Sequence, residues 1–163
     1  MGRESRNLRV ARGVVAASLT RQTNERRYIM DFYKITNEKE RHNGMQYKGG
    51  MNVDIIPFNP SGTCTRGGIY FSREDILAFI DYGPWIRKVT IPEGEKIYEN
   101  PREPKKWKAH KVILGERQRI DEGVVKMLLE AGADVHAHDD GALYWAAENG
   151  CEGVVKILKE AMK

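Results

Sequence analysis

Apolar and polar positions alternate in short runs along residues 30–116, each run closed by turn residues; from about residue 120 the spacing becomes that of a helix. The candidate strands are Phe32-Tyr33-Lys34-Ile35, Met51 to Ile56, Gly68-Ile69-Tyr70-Phe71, Trp85 to Ile91 and Lys111 to Leu114. They are bounded by Gly49-Gly50, Pro57, Pro60-Ser61-Gly62, Gly67-Gly68, Gly83-Pro84 and Pro92-Glu93-Gly94. One helix is signalled among them. Ser72 stands as a candidate N-cap with Asp75 three residues on, Ile76, Leu77 and Ile80 form an apolar face, and Gly83-Pro84 stops the run. Glu74 and Asp75 add negative charge where the helix dipole is positive. Residues 100–110, rich in Pro and Lys, read as an exposed loop before the last strand.

The helical pattern of the C-terminal part repeats. Glu122-Gly123-Val124-Val125-Lys126-Met127-Leu128-Leu129 returns 30 residues later as Glu152-Gly153-Val154-Val155-Lys156-Ile157-Leu158-Lys159. Between the copies lie Ala131-Gly132-Ala133-Asp134-Val135 and the run Gly141-Ala142-Leu143-Tyr144-Trp145-Ala146-Ala147-Glu148-Asn149-Gly150. Helix, glycine turn and second helix at a period of about 30 are the mark of stacked helical repeats, and these strings resemble ankyrin repeats. The preceding strings, among them Phe32 to Asn37, His42-Asn43-Gly44, Pro57-Phe58-Asn59, Gly67 to Phe71 and Asp81-Tyr82-Gly83 with Trp85, are similar to the ankyrin-repeat proteins that giant DNA viruses encode. The resemblance implies an interaction or structural role and supplies no catalytic residue. The expected fold class is α+β: a small mixed β domain with one helix at 30–117, and at 118–163 about one and a half ankyrin units docked on it. A solenoid needs roughly three units to bury a continuous core, which is why docking is expected.

Composition changes the picture mainly at the N-terminus. The whole chain has 163 residues, 40% hydrophobic and 31% charged, within the range of a soluble globular protein, and no apolar run reaches the length of a membrane span. Its net charge of +4 is uneven. Residues 1–29 hold Arg3, Arg6, Arg9, Arg12, Arg21, Arg26 and Arg27 against Glu4 and Glu25, so the remainder carries 20 basic and 21 acidic side chains. The sequence pI of about 9.0 therefore describes the extension. We read 1–29 as a flexible extension, with non-specific nucleic-acid contact through its seven arginines or a targeting function as further readings. Cys64 and Cys151 form no CxxC pair and fit a reducing compartment, which with the viral resemblance places the protein inside an infected cell or in the particle.

The candidate chemistry is sparse. Tyr144 and Trp145 lie on a repeat helix beside the small pair Ala146-Ala147 and are the expected partner-binding centre, because Tyr and Trp are favoured anchors at protein interfaces; the alternative for Trp145 is packing against the preceding domain. His136 and His138 fall on the exposed finger between helices and join that surface; a metal site there would need further ligands, so none is expected, nor is any cofactor. The polar loop Asn59 to Gly68 reads first as an ordinary surface crossover; its backbone amides could also cradle an anion beside Arg66, without matching a phosphate-loop motif. Cys64 has no neighbouring His in sequence, leaving His42 or His110 to approach only in the fold. A second class of function is a small NAD-dependent enzyme in 31–116. The order of Tyr33 to Thr36, Gly68 to Ser72 and Ile91 to Glu95 looks somewhat like that of ADP-ribosyltransferases, with Tyr70 and Glu93 or Glu95 at the matching positions and no identifiable early His or Arg.

Overall fold

The computed structural model describes residues 29–163. In chain order the strands are β1 (Phe32–Thr36), β2 (Arg41–His42), β3 (Met45–Gln46), β4 (Gly50–Val53) and β5 (Ile69–Phe71). A 3-10 helix (Ile76–Tyr82) leads to β6 (Trp85–Thr90), β7 (Ile97–Glu99), β8 (Trp107–Ala109), β9 (Lys111–Leu114) and β10 (Gln118–Arg119). Three α-helices follow: α1 (Glu122–Ala131), α2 (Ala137–Glu148) and α3 (Glu152–Ala161).

The strands form three antiparallel sheets. The largest runs β1-β6-β9-β4 with β10 also on β6, β2 pairs β3 in a hairpin, and β8 lies between β5 and β7. Register sets the core: Phe32 faces Val89 and Ile35 faces Ile86 across β1 and β6. Ile69, Phe71, Trp107, Ala109, Val112 and Leu114 then close one apolar cluster between the sheets. Phe32 packs edge-on against Phe71 and Trp107 at centroid distances of 4.8 and 5.2 Å, and the Arg73 guanidinium covers the Phe32 and Trp107 rings.

This architecture overturns the expected fold class. Every strand pairing among the described residues is antiparallel, so the β part is not a mixed sheet, and the signalled helix is a 3-10 helix. The groups expected to cap it serve tertiary contacts instead. Ser72 Oγ donates to the Lys105 carbonyl at 2.6 Å, and Asp75 Oδ2 accepts from Lys105 N at 2.6 Å. With both polar groups spent on the segment before β8, no side chain holds the first turn in α geometry. Residues 100–110 are likewise not simply a loop: Trp107–Ala109 is the buried central strand of a sheet. The C-terminal part is helical but does not resolve into an ankyrin array. Strand β10, and not a helix, precedes α1, and α2 begins with His138, Asp139 and Asp140 in left-handed backbone conformation.

The helices themselves follow local rules. Asp121 caps α1 by accepting from Val124 N at 2.9 Å, and Gly132, at φ 114°, ends it in the left-handed conformation that a side chain would strain. Val125 and Leu128 of α1 and Val154 and Leu158 of α3 are buried; Leu128 and Leu158 hold corresponding positions of the two repeat copies, while Val125 and Val154 are one position out of register. Helix α2 packs against α3 and the 3-10 helix, and the Asp134 amide donates to the Glu74 carbonyl at 2.7 Å.

Candidate functional site

A cavity of about 440 Å³ opens between β1, β5, the β2–β3 hairpin, the loop before Gly68 and the 3-10 helix. Its floor carries Lys34, placed there because β1 is buried on both faces and its central residue must point into one of them. The residue is only 8% exposed. Its ammonium donates to the Tyr70 carbonyl at 2.8 Å and lies 4.7 Å from the Tyr47 ring centre. Burial, and then the charge of Lys106, push its pKa down to about 8. Lys106 Nζ sits 4.5 Å over the Tyr70 ring, and Arg41, His42 and Arg66 bring further basic groups to the wall. Burial lowers the His42 pKa, and Lys34 lowers it further. Burial raises that of Tyr47 to about 12, with Asp54 adding to the effect.

Beside the cavity a buried ion pair fixes the hairpin. Arg87 Nε donates to Glu40 Oε2 at 2.7 Å and Arg87 Nη2 to Oε1 at 2.9 Å, while Arg87 Nη1 reaches the Gly115 carbonyl at 2.6 Å. Thr36 Oγ1 adds a bond to Glu40 Oε2 at 3.2 Å. The Arg87 hydrogen bonds are the main reason the Glu40 carboxyl is held below its usual range. Nothing local announces this pair, since its members stand 47 residues apart.

The Asn59–Gly68 loop turns carbonyls inward and spends several of its amides. Cys64 N donates to Asn100 Oδ1 and Gly68 N to Asp54 Oδ2, while Asn59 N bonds Gly67 O. Lys108, without any solvent exposure, lies within 3.5 Å of the Ser61 and Thr65 carbonyls and of Thr65 Oγ1. Gly68, at φ 140°, is where a β-carbon would collide with the Lys108 stem. The loop is therefore a cation latch, and not the anion cradle that its amides could have offered.

The other expected site residues separate into two regions. Tyr144 is 67% exposed on α2 while Ala142 and Ala146 are buried, and Trp145 is half-buried beside it. His136 and His138 are exposed at the start of the same helix, with His136 Nδ1 2.7 Å from Asp140 Oδ1. Tyr70, Cys64 and His42 all line the cavity, and His110 does not. Glu93 and Glu95 are also outside it; Glu95 accepts from Lys111 N at 3.3 Å. Arg3, Arg6, Arg9, Arg12, Arg21, Arg26 and Arg27 lie outside the described residues. Lys34 escaped the sequence reading although it had a signal, a lysine inside the apolar run Phe32 to Ile35.

The comparisons with known proteins converge on one virus, Acanthamoeba polyphaga mimivirus. A protein named "Putative ankyrin repeat protein R229" is 37% identical over 140 residues, covering 77% of this chain and 46% of its own length. "Putative ankyrin repeat protein R896" is 33% identical over 139 residues, covering 82% of this chain and 42% of its own. "Uncharacterized protein R869" is 34% identical over 133 residues, which is 78% of this chain and 96% of that protein. The chain thus spans less than half of the first two relatives and nearly all of the third. No family model and no solved structure matches it. On the similarity to R869 along almost its full length, the chain belongs to the mimivirus protein family that includes R869 and the relatives with ankyrin-repeat names.

Proposed function

We propose that the chain is an interaction module that binds a protein partner through the α2 surface centred on Tyr144, with Trp145, His136 and His138 at its margin. The observation that carries the reading is the exposure of Tyr144 on a helix whose small residues face inward. Ala142 and Ala146 let α2 approach its neighbours and fix it, so the tyrosine is presented on a held helix at low entropic cost. The ankyrin-repeat names of the relatives support the same role. Its place would be the infected cell's cytoplasm or the particle. The arginines of residues 1–29 would add non-specific nucleic-acid contact. No helix among the described residues is long and apolar enough to cross a membrane. The transferase reading draws less support, because Tyr70 lines the cavity while Glu93 and Glu95 do not.

The test is affinity capture from infected cells with tagged wild type, Tyr144→Ala and Tyr82→Ala. Tyr82, also exposed, stands on the 3-10 helix and serves as control. Tyr144→Ala is expected to weaken capture by about tenfold or more, the scale of an interface anchor, while Tyr82→Ala keeps it. Equal capture by all three chains would contradict the reading.

A further inference from the structure

We propose that the cavity beside β1 binds a small phosphate ester with a planar apolar body, its phosphate seated on Lys34 and Lys106. The inference is independent of the α2 surface and rests on an imbalance of charge. Lys34 is more than nine-tenths buried, yet its ammonium has a single hydrogen-bond partner among the described residues, a carbonyl. A buried ammonium without a counter-ion is costly, so side chains of this kind are normally paired. Here the charge that acts on it is a second lysine, Lys106, which repels it.

The cavity's own acid does not resolve the imbalance. Asp54 is the one carboxylate on the described wall, and its oxygens already accept from Gly68 N at 2.6 Å and Ile56 N at 3.4 Å. Two ammonium groups at one end match a dianion better than a monoanion, which favours a phosphate ester over a carboxylate. The remaining wall is aromatic. Tyr70 and Tyr47 flank the lysines, and Phe79 and Tyr82 of the 3-10 helix, edge-to-face at 5.8 Å, also line the cavity. Such walls receive a flat apolar group, and the volume of about 440 Å³ falls in the range of small-ligand sites.

Calorimetric titration of the full chain with phenyl phosphate, inorganic phosphate and benzoate tests this. Phenyl phosphate is expected to bind more tightly than either of the others, since only it offers both the dianion and the ring. Lys34→Met is expected to weaken it by about tenfold or more, the effect of removing a buried charged partner. The same substitution should leave the thermal midpoint unchanged or raised, because it deletes an unpaired buried charge. Undetectable phenyl phosphate binding at millimolar concentration, or equal affinity in wild type and Lys34→Met, overturns the proposal. Inorganic phosphate binding as tightly as phenyl phosphate overturns the planar body. Should Lys34→Met fail to fold, Lys106→Ala carries the test: several-fold weaker binding supports the site and unchanged affinity overturns it.

Discussion

The Glu40 carboxylate takes three hydrogen bonds from Arg87 and Thr36 and has Arg117 at 3.6 Å, in a residue whose own backbone is left-handed at φ 50°. Left-handed backbone in a bulky residue is strained, and persists only where the surroundings fix it. Glu40→Ala is therefore expected to lower the unfolding free energy by about 3–5 kcal/mol, the cost of leaving Arg87 buried without its partner. Urea unfolding measures it. The pH dependence follows from the direction of the shift. A carboxyl whose folded pKa lies below its ordinary 4.5 contributes stability above that value and loses it as pH falls through the folded value. The variant's stability should accordingly fall less steeply than wild type below about pH 4.5. At this scale the sequence was only partly legible. Tyr144 could be singled out because surface aromatics stand out in a helical repeat, and Lys34 was visible in principle. Glu40 and Arg87 meet only through tertiary structure, and no spacing rule joins them.

Elements were legible where hydrophobic pattern and local chemistry agreed. β1 and β9 fall where alternation put them, and α1 and α3 follow the duplicated Glu-Gly-Val-Val-Lys strings. The 3-10 helix and β8 mark where tertiary contacts won. Asp75 and Ser72 left the helix end for Lys105, and Lys108 disguised a buried strand as a charged loop until its ammonium met the carbonyls of Ser61 and Thr65. Helix α2 depends on the same 3-10 helix for cover, and Tyr33 Oη reaches Met127 Sδ on α1 at 3.8 Å. A fragment of residues 118–163 should therefore be largely unfolded, because α2 loses the 3-10 helix it packs on and α1 loses its contact with Tyr33. Circular dichroism with a thermal scan checks this. A cooperative melt of the fragment would show that the helices stabilise one another alone.

At the scale of the whole chain, charge and contact are divided. The arginine-rich residues 1–29 carry +5, and residues 30–163 carry −1. If the arginines supply polyanion affinity, a chain beginning at Met30 should lose it, while the full chain binds DNA with an affinity that falls steeply as salt rises. Equal affinity and salt slope in the two chains would assign the binding to the folded part. Family membership was legible from the C-terminal strings, and the fold class was not, because the expected mixed β domain with docked ankyrin units gives way to antiparallel sheets and to helices that do not resolve into an ankyrin array. The proposed role requires α2 to present a partner surface around Tyr144. Amide hydrogen exchange on the captured complex tests it most directly, by comparing bound and free chain residue by residue. Added protection is expected across Gly141 to Glu148, with the β1–β6 ladder unchanged. Protection confined to the sheets or the cavity loops, with α2 exchanging as in the free chain, would contradict it.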